Sequence, residues 1–368
     1  MSLNVLQICH SYYPPFLDCA RQYAALFKET DYKVTTVYLQ GEYSPAVVEG
    51  SASHEVIFLD YKSSQIGGLK LGAIQKIRAI AKIKPFEFCI AHRVKPTYVA
   101  LLATDLPVVS VHHNYNDYSR WSRRLVVNFY QKRILMLGVS NSVRDDLRRD
   151  LKNWPAERIQ TLYNRIDVAA TQSVMVDKYE ARQALNLPHD AWIIGNVGRL
   201  HHDKDQATLI KGFAKALAQL PQHSLLVIVG IGPLEQTLKQ LATSLNIKAN
   251  VIFTGTIPDA KRYFKAFDVF ALTSDREPFG MVLLEAMVAE LPIVCSDGGG
   301  GAEVVRGVGK FFSFGNEVAL SATLIKLYEQ NNLNYAKKTS LCLNGEFSDE
   351  AVAYHFWKIS FIKNLLSS

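Results

Sequence analysis

VFALTSDREPFGMVLLEAM, residues 269–287, holds the clearest strand-to-helix transition in the chain. Residues 269–272 are apolar and predict a buried strand, Gly280 predicts a turn, and the apolar run after it predicts a packed helix. Glu277 lies in the turn and Glu285 within the first two turns of the helix. Because parallel sheets bind ligands at the carboxyl ends of their strands, the stretch predicts an α/β fold with two carboxylates at a ligand-binding edge.

The chemistry of these two carboxylates suits a ligand with sugar and phosphate groups. Glu285 is placed to accept hydrogen bonds from the vicinal hydroxyls of a ribose, and Glu277 would face the same ligand from the strand edge. The amino terminus of the helix offers unpaired N–H groups to an anion. Taken alone, this spacing is more typical of a capped amphipathic helix with a surface glutamate, so other segments must decide between the two interpretations.

Strands and helical stretches alternate along the chain in two series. Strand candidates of the first series are 4–9, 33–39, 55–59, 86–91, 107–111, 135–140 and 160–164; those of the second are 192–197, 224–229, 250–253, 269–272 and 292–295. This βαβ pattern predicts two Rossmann-like, doubly wound parallel sheets that face a central cleft. A polar, weakly periodic segment at 167–188 predicts the linker. We expect domains at 1–170 and 171–345, and a final helix at 346–368 that can pack back on the first domain.

Length and composition exclude several classes of protein. The 368 residues, 48% hydrophobic and 20% charged, suffice for two cores and differ from disordered or fibrous chains. No apolar run approaches the roughly 20 residues of a membrane span, and the amino terminus lacks the regions of a signal peptide, so we expect a cytoplasmic protein. The five cysteines are odd in number and include no C-x-x-C pair, which indicates neither a disulfide framework nor a zinc site.

All of the +7 formal charge comes from the first half of the chain. Residues 1–170 hold 22 Lys and Arg against 15 Asp and Glu, whereas the remainder holds 19 of each. The excess is concentrated between Lys62 and Arg149. It is typical of solvated helix faces, and equally of a surface that contacts an anionic membrane or an anionic acceptor. No nucleic-acid-binding motif accompanies it, so we expect no nucleic-acid partner.

Further segments extend the pattern around Glu277 into a family resemblance. The run from Glu277 to Val294 resembles the E-x7-E signature of the large retaining glycosyltransferase family with the GT-B fold, family 4-like, which includes many bacterial envelope and lipopolysaccharide sugar transferases. The matching segments, in the family's order and spacing, are 139–147, 163–167, 197–200 with Lys204, 229–233, 251–255 and 267–270.

The resemblance implies an enzyme that binds its acceptor with the first domain and its sugar donor with the second. It would transfer a hexose from a nucleoside diphosphate sugar, with a UDP-sugar as the expected donor, to a hydroxyl of a glycan or glycolipid, with retention of configuration. The pathway it implies is that of lipopolysaccharide core or another surface polysaccharide, with peripheral contact to the inner face of the cytoplasmic membrane. No cofactor is expected beyond the donor.

The resemblance also assigns roles to individual residues. Arg199 and Lys204 would neutralise the diphosphate, which makes metal unnecessary, because cations and backbone N–H groups can stabilise the developing charge. Gly198 and Gly280 would lie close to the donor. Glu277 would contact the transferred sugar and Glu285 the ribose. The glycines at 298–301 permit close backbone approach to a ligand, and Glu303 after them is either a ligand contact or a helix-start residue.

Three histidines end strands of the first domain. The resemblance places His113 beside the transferred sugar, as a hydrogen-bond donor rather than a nucleophile. A one-residue uncertainty in register keeps His112 open, and His92 ends the preceding strand in a similar way. A histidine in such a place is also typical of an ordinary loop residue that hydrogen-bonds within the protein.

The chain departs from the family pattern at two places. The loop at 12–20 has no glycine pair, which leaves Tyr13 or Asp18 as the residues to face the acceptor. Arg165 replaces a usual glycine and would either alter the turn or add a cation near the cleft. The G-x-G at Gly230 and Gly232 lacks a third glycine, and this absence argues against a nicotinamide enzyme.

Two alternatives to sugar transfer stay open from the sequence. One is another GT-B reaction, such as that of a sugar-nucleotide epimerase or a phosphorylase. The other is a catalytically silent binding protein of the same fold, which the missing glycine pair favours.

Overall fold

The computed structural model describes residues 3–13, 16–330 and 335–366. The chain divides into two compact units: the first holds the residues up to Arg165 together with those from Asp349 onward, and the second runs from Ile166 to Ser348. Each unit contains one parallel sheet with helices, which confirms the predicted class of two Rossmann-like α/β domains. Two loop prolines of the glycine-free segment, Pro14 and Pro15, lie outside the described residues.

The sheet of the first unit has seven parallel strands in the order β3-β2-β1-β4-β5-β6-β7. The strands are β1 (Leu3–Cys9), β2 (Tyr32–Tyr38), β3 (Glu55–Phe58), β4 (Phe88–His92), β5 (Val108–His112), β6 (Ile134–Gly138) and β7 (Ile159–Thr161). The helices before the second unit are α1 (Phe16–Ala24), α2 (Pro45–Gly50), α3 (Leu71–Ile83), α4 (Val94–Ala103), α5 (Trp121–Phe129) and α6 (Asn141–Asp150). The strand order reverses between β1 and β4, the kind of position where doubly wound folds bind ligands.

The second unit has a six-stranded parallel sheet in the order β10-β9-β8-β11-β12-β13. Its strands are β8 (Trp192–Val197), β9 (Ser224–Val229), β10 (Val251–Gly255), β11 (Val269–Leu272), β12 (Ile293–Ser296) and β13 (Lys310–Phe312). Its helices are α7 (Val168–Val174), α8 (Lys178–Ala184), α9 (Gln206–Ala216), α10 (Glu235–Ser244), α11 (Met281–Val288), α12 (Gly299–Val304), α13 (Glu317–Glu329) and α14 (Tyr335–Cys342). Its core packs α9 and α13 against the buried faces of β8, β9 and β12.

The segment 167–188, predicted as the linker, folds into α7 and α8. An aspartate caps each helix: Asp167 accepts a hydrogen bond from the Ala170 N–H and Asp177 from the Glu180 N–H, each at 2.8 Å. Such caps satisfy backbone donors at the helix start and stabilise short polar helices by about 1 kcal/mol each. Arg182 of α8 is buried and donates to the Asp268 carboxylate at 2.8 Å, which fixes the segment to the second unit.

The final segment forms two helices, α15 (Asp349–Lys358) and α16 (Ser360–Leu366), where the sequence predicted one. α15 packs on the 3₁₀ helix Ala25–Phe27 of the first unit: the Trp357 ring lies 5.4 Å from that of Phe27, and its N–H donates to the Leu26 carbonyl at 3.3 Å. The buried Arg165 forms an ion pair with Asp349 and donates to the Gln22 carbonyl at 3.0 Å. Arg165 therefore anchors the returning chain, and its charge is balanced within the first unit.

Candidate active site

The loops that carry most of the predicted site residues follow β8, β11 and β12, which are neighbours in the second sheet. Hydrogen bonds join the three loops. The Thr273 hydroxyl donates to the Lys204 carbonyl at 2.9 Å, the Ser296 hydroxyl to the Ser274 carbonyl at 2.6 Å, and the Gly300 N–H to the Glu277 carbonyl at 2.7 Å. The strand order reverses between β8 and β11, so the loops form a fixed ligand-binding edge at a topological switch point.

Lys204 and Glu277 are in direct contact at this edge. Lys204 Nζ lies 2.5 Å from Glu277 Oε2, and the Ser274 hydroxyl donates to the same oxygen at 3.2 Å. The two side chains are 19% and 11% exposed. Because a lysine ammonium has three protons, this contact leaves donors for a second anion while it fixes the orientation of the carboxylate. The sequence predicted both residues as site residues but not their pairing.

Arg199 has a different environment from Lys204. Its side chain is 72% exposed and lies 3.4 Å from the Asp203 carboxylate, which His201 Nδ1 also contacts at 2.6 Å. Exposed pairs of this kind contribute only about 0–1 kcal/mol, so the guanidinium can exchange this carboxylate for another anion at little cost. Arg199 is therefore an exposed, weakly paired cation, whereas Lys204 is mostly buried and closely paired.

The glycines of these loops serve close packing. A Cβ on Gly230 would lie 2.0 Å from the Gly198 carbonyl oxygen, and one on Gly232 would lie 2.3 Å from that of Leu200. Glycine is thus required at both positions, because the loop after β8 packs directly against the G-x-G after β9. Gly280 has a φ of +90°, a conformation that favours glycine at the start of α11.

The two remaining glutamates of the region lie on helices. Glu285 is on the second turn of α11 and is partly buried. Glu303 is the penultimate residue of α12, which begins at Gly299, so a helix-start role for Glu303 is wrong.

In the first unit, three polar side chains connect His113 to the sheet core. Gln7 Nε2 donates to the Ala20 carbonyl at 3.1 Å and to the Thr36 hydroxyl at 2.8 Å, so its carbonyl oxygen faces His92 Nε2 at 3.3 Å. His92 Nδ1 in turn lies 3.1 Å from His113 Nε2. Burial lowers the pKa of His92 to about 3 and that of His113 well below its ordinary value, so both rings are neutral at pH 7.

This network assigns the tautomers of both histidines. Because Gln7 presents only an acceptor, His92 carries its proton on Nε2, and His92 Nδ1 accepts the proton of His113 Nε2. His113 Nδ1 is then an acceptor, with Cys19 Sγ 3.7 Å away. In this arrangement the His113 N–H is directed to His92, so Nδ1 is the His113 atom left to interact with a ligand, as an acceptor, whereas the sequence predicted a donor. No local sequence pattern marks Gln7, because its hydrogen bonds depend on tertiary structure alone.

The other candidate residues of the first unit contact partners within that unit. His112 is buried between the Asp117 carboxylate, 2.7 Å from Nδ1, and the Ser110 hydroxyl, 2.8 Å from Nε2, so both of its ring nitrogens have partners within the protein. Asp18 forms an ion pair with Arg21 and accepts from Gln22 at 2.8 Å. Tyr13 is exposed, with its ring against that of Tyr12.

Within the part of the chain that the structure describes, no group of three His, Cys, Asp or Glu side chains has the arrangement of a metal site. All five cysteines are free. None of the described helices is both long enough and apolar enough to cross a bilayer.

Two parallel Rossmann-like sheets, one in each unit, define the GT-B class of fold. The structure of Anabaena HepE in complex with UDP and glucose superposes with a TM-score of 0.75 and 21% identity over the whole of both chains. Two family models match this chain, one described as Glycosyltransferase Family 4 over residues 19–170 and one as Glycosyl transferases group 1 over residues 177–340. The chain belongs to the family 4-like glycosyltransferases with the GT-B fold.

Curated relatives match parts of the chain. An uncharacterised glycosyltransferase of Methanocaldococcus jannaschii is 30% identical over 178 residues, 46% of this chain and 44% of its own length. The N-acetylgalactosamine-N,N'-diacetylbacillosaminyl-diphospho-undecaprenol 4-alpha-N-acetylgalactosaminyltransferase of Campylobacter jejuni is 28% identical over 269 residues, 68% of this chain and 69% of its own. The chain thus spans about half to two thirds of the length of these relatives.

Proposed function

We propose that this protein is a retaining, metal-independent glycosyltransferase that moves a hexosyl group from a nucleoside diphosphate sugar to an acceptor hydroxyl. The observation that carries the proposal is the Lys204–Glu277 pair, a partly buried cation and carboxylate held 2.5 Å apart at the switch point of a Rossmann-like sheet. Phosphate and sugar hydroxyls are the groups that such a pair binds together, because the ammonium attracts the anion and the carboxylate accepts from hydroxyls.

The proposed reaction needs charge stabilisation at the leaving group. The bond from the anomeric carbon to the phosphate oxygen breaks, and the acceptor oxygen forms its bond on the same face of the sugar. The acceptor proton passes to the departing phosphate. Lys204 holds one side of the diphosphate while Arg199, exposed and weakly paired, turns from Asp203 to the other. A donor held against such developing charge stabilises it by ~2–4 kcal/mol.

In this proposal the two glutamates bind different parts of the donor. Glu277 orients the transferred sugar, and Glu285 on α11 binds the ribose hydroxyls. Gly198 and Gly280 admit the donor close to the backbone. His113 Nδ1 accepts a hydrogen bond from a sugar hydroxyl in place of the weak contact with Cys19.

For the donor we propose a UDP-sugar, and for the acceptor a glycan or glycolipid of lipopolysaccharide core or another surface polysaccharide. The name of the Campylobacter relative, which includes a diphospho-undecaprenol-linked sugar, supports an acceptor carried on a lipid. The cationic excess of the first half supports contact with an anionic membrane from the cytoplasmic side.

The test is acceptor-dependent release of nucleoside diphosphate from a panel of UDP- and GDP-sugars, with a panel of lipid-linked and soluble glycans. We expect release only when donor and acceptor are both present, and a product with the donor's anomeric configuration by NMR. Release without acceptor would indicate an epimerase or hydrolase, and nucleotide binding without turnover on any acceptor would indicate a silent binding protein. Glu235→Gln, in an exposed pair with Lys239 elsewhere in the second unit, is the matched control for Glu277→Gln.

A further inference from the structure

A cavity of about 310 Å³ opens on the first unit between residues 68–70, α4 and α5. Three cations line it: Lys70, Lys95 and Arg123. Among the described residues of its lining, none is acidic. The remaining wall is aromatic and aliphatic, from Tyr98, Tyr118 and valines.

The cations of this cavity are held by neutral groups. Lys70 Nζ donates to the Gly68 carbonyl at 2.6 Å and lies 4.8 Å from the centre of the Tyr98 ring. Arg123 donates to the Asp117 carbonyl at 2.8 Å. Burial, together with the charges of Lys95 and Arg123, lowers the pKa of Lys70. Because the three positive charges repel one another, a bound anion would relieve an unfavourable arrangement.

An exposed apolar stripe runs along α5, the helix that also contributes Arg123 to the cavity. Trp121, Leu125 and Phe129 follow one another at intervals of four along α5 and are 69%, 58% and 82% exposed, while Val127 on the opposite face is buried. Side chains at this spacing form a single stripe along a helix. Leu69 and Leu71, on either side of Lys70, are exposed as well. The outward stripe of α5 is thus apolar in a helix that contains no acidic residue.

The segment that contains the cavity cations and α5 is strongly basic. Between Leu69 and Arg133 the sequence has 12 Lys and Arg residues against three Asp and Glu. Exposed tryptophan, leucine and phenylalanine beside a basic surface are the composition of helices that lie in the interface of a membrane. A protein partner would need acidic groups that match the cations and an apolar pocket shaped to the α5 stripe. An anionic bilayer has negative charge at its surface and an apolar interior beneath it, and both extend over a wide area.

We infer that this face of the first unit binds the surface of an anionic membrane, with the phosphate of an anionic lipid in the cavity of Lys70, Lys95 and Arg123 and with the α5 stripe inserted among the headgroups. The inference deepens the membrane contact proposed above by naming its surface and ligand. In this arrangement α5 is an interfacial helix, and its exposed apolar stripe contacts the membrane.

The experiment measures sedimentation of the full-length protein with vesicles of phosphatidylcholine, with and without about one third phosphatidylglycerol. We expect binding to the anionic vesicles at least tenfold stronger than to the neutral ones. Lys70→Gln with Arg123→Gln should weaken it at least tenfold, and so should Trp121→Ala with Phe129→Ala. The matched controls, Lys28→Gln with Lys33→Gln and the exposed Tyr43→Ala, should bind like the parent protein.

Three results would overturn the inference. These are equal binding to neutral and anionic vesicles, unchanged binding by the cavity variant, and loss of vesicle binding in millimolar inorganic phosphate, which would make the cavity a site for free phosphate. Because none of the four substituted positions of the two test variants is among the proposed site residues, donor turnover with a soluble acceptor should be unchanged in every variant. Failure of membrane binding with turnover intact is thus distinguishable from failure of the proposed transfer.

Discussion

The pair of Lys204 and Glu277 gives the sharpest test of the site, through Lys204→Met, Glu277→Gln and the double variant. Both side chains are mostly buried, and the charged hydrogen bond between them is 2.5 Å long. A charge-assisted bond of this kind contributes about 1.5–3 kcal/mol. Removal of either partner also leaves the other charge partly desolvated, so each single variant should lower the free energy of unfolding by about that amount.

The double-mutant cycle separates the pair from its surroundings. We expect a coupling of about 1–2 kcal/mol between Lys204 and Glu277 in urea unfolding followed by circular dichroism. The exposed pair of Lys239 and Glu235, at 2.6 Å on α10, should couple by only about 0.2–0.5 kcal/mol. Equal coupling energies for the two pairs would refute the conclusion that burial strengthens the interaction between Lys204 and Glu277.

The same variants separate donor binding from transfer. Glu277→Gln releases Lys204 from its carboxylate, so affinity for UDP should be unchanged or higher by calorimetry, while kcat falls because the sugar is no longer oriented. Lys204→Met should weaken UDP binding and lower kcat together. If Glu277→Gln weakened UDP binding as much as Lys204→Met does, the assignment of Glu277 to the sugar would be wrong.

Arg199→Ala should lower turnover by about 10²–10³-fold in a protein that unfolds like the parent, because the residue is exposed and its ion pair is weak; parent-like turnover would remove its role. Glu285→Gln should mainly raise the donor KM, since ribose binding is equal in ground and transition states, and an unchanged KM with reduced kcat would reverse its assignment. Turnover should persist in excess chelator, and complete loss that metal restores would contradict stabilisation by cations. The folded pKa of His92, about 3, is depressed below its unfolded value near 6.5. Below pH 6.5 the unfolded chain therefore binds the extra proton, and this histidine alone should lower the stability by about 1.5 kcal/mol between pH 6.5 and 5. His92→Gln should flatten that dependence in urea unfolding, and an unchanged slope would show that His92 titrates normally.

The sequence predicted the sheets well because buried parallel strands are near-continuous apolar runs. The strands Trp192–Val197, Ser224–Val229 and Val269–Leu272 have the bounds that their composition indicates, and the other predicted strands are shifted by one to three residues. β13 escaped notice because Lys310–Phe312 is three residues long and mostly exposed. The segment 167–188 has no helical pattern in its sequence, because its helices depend on capping aspartates and tertiary contacts rather than on an apolar stripe.

The sequence predicted the site residues one by one, and the structure shows which side chains they contact. The family resemblance indicated Lys204 and Glu277, but 73 residues separate them, and no local pattern reveals that they form an ion pair. The network of Gln7, His92 and His113 spans three strands or their ends, so the tautomer of His113 could be derived only from tertiary contacts.

The anchoring of Asp349 by Arg165 bears on the order in which the chain can fold during synthesis. The first unit lacks α15 and its contacts with Phe27 until the residues from Asp349 onward have been made, whereas the second unit has all of its residues once Ser348 emerges. The ends of the second unit lie together, since the Ile166 N–H donates to the Phe347 carbonyl at 2.9 Å. All residues of the second unit are thus synthesised before the two helices that complete the first unit, and the first unit's hydrophobic surface around Phe27 stays uncovered until α15 has been made.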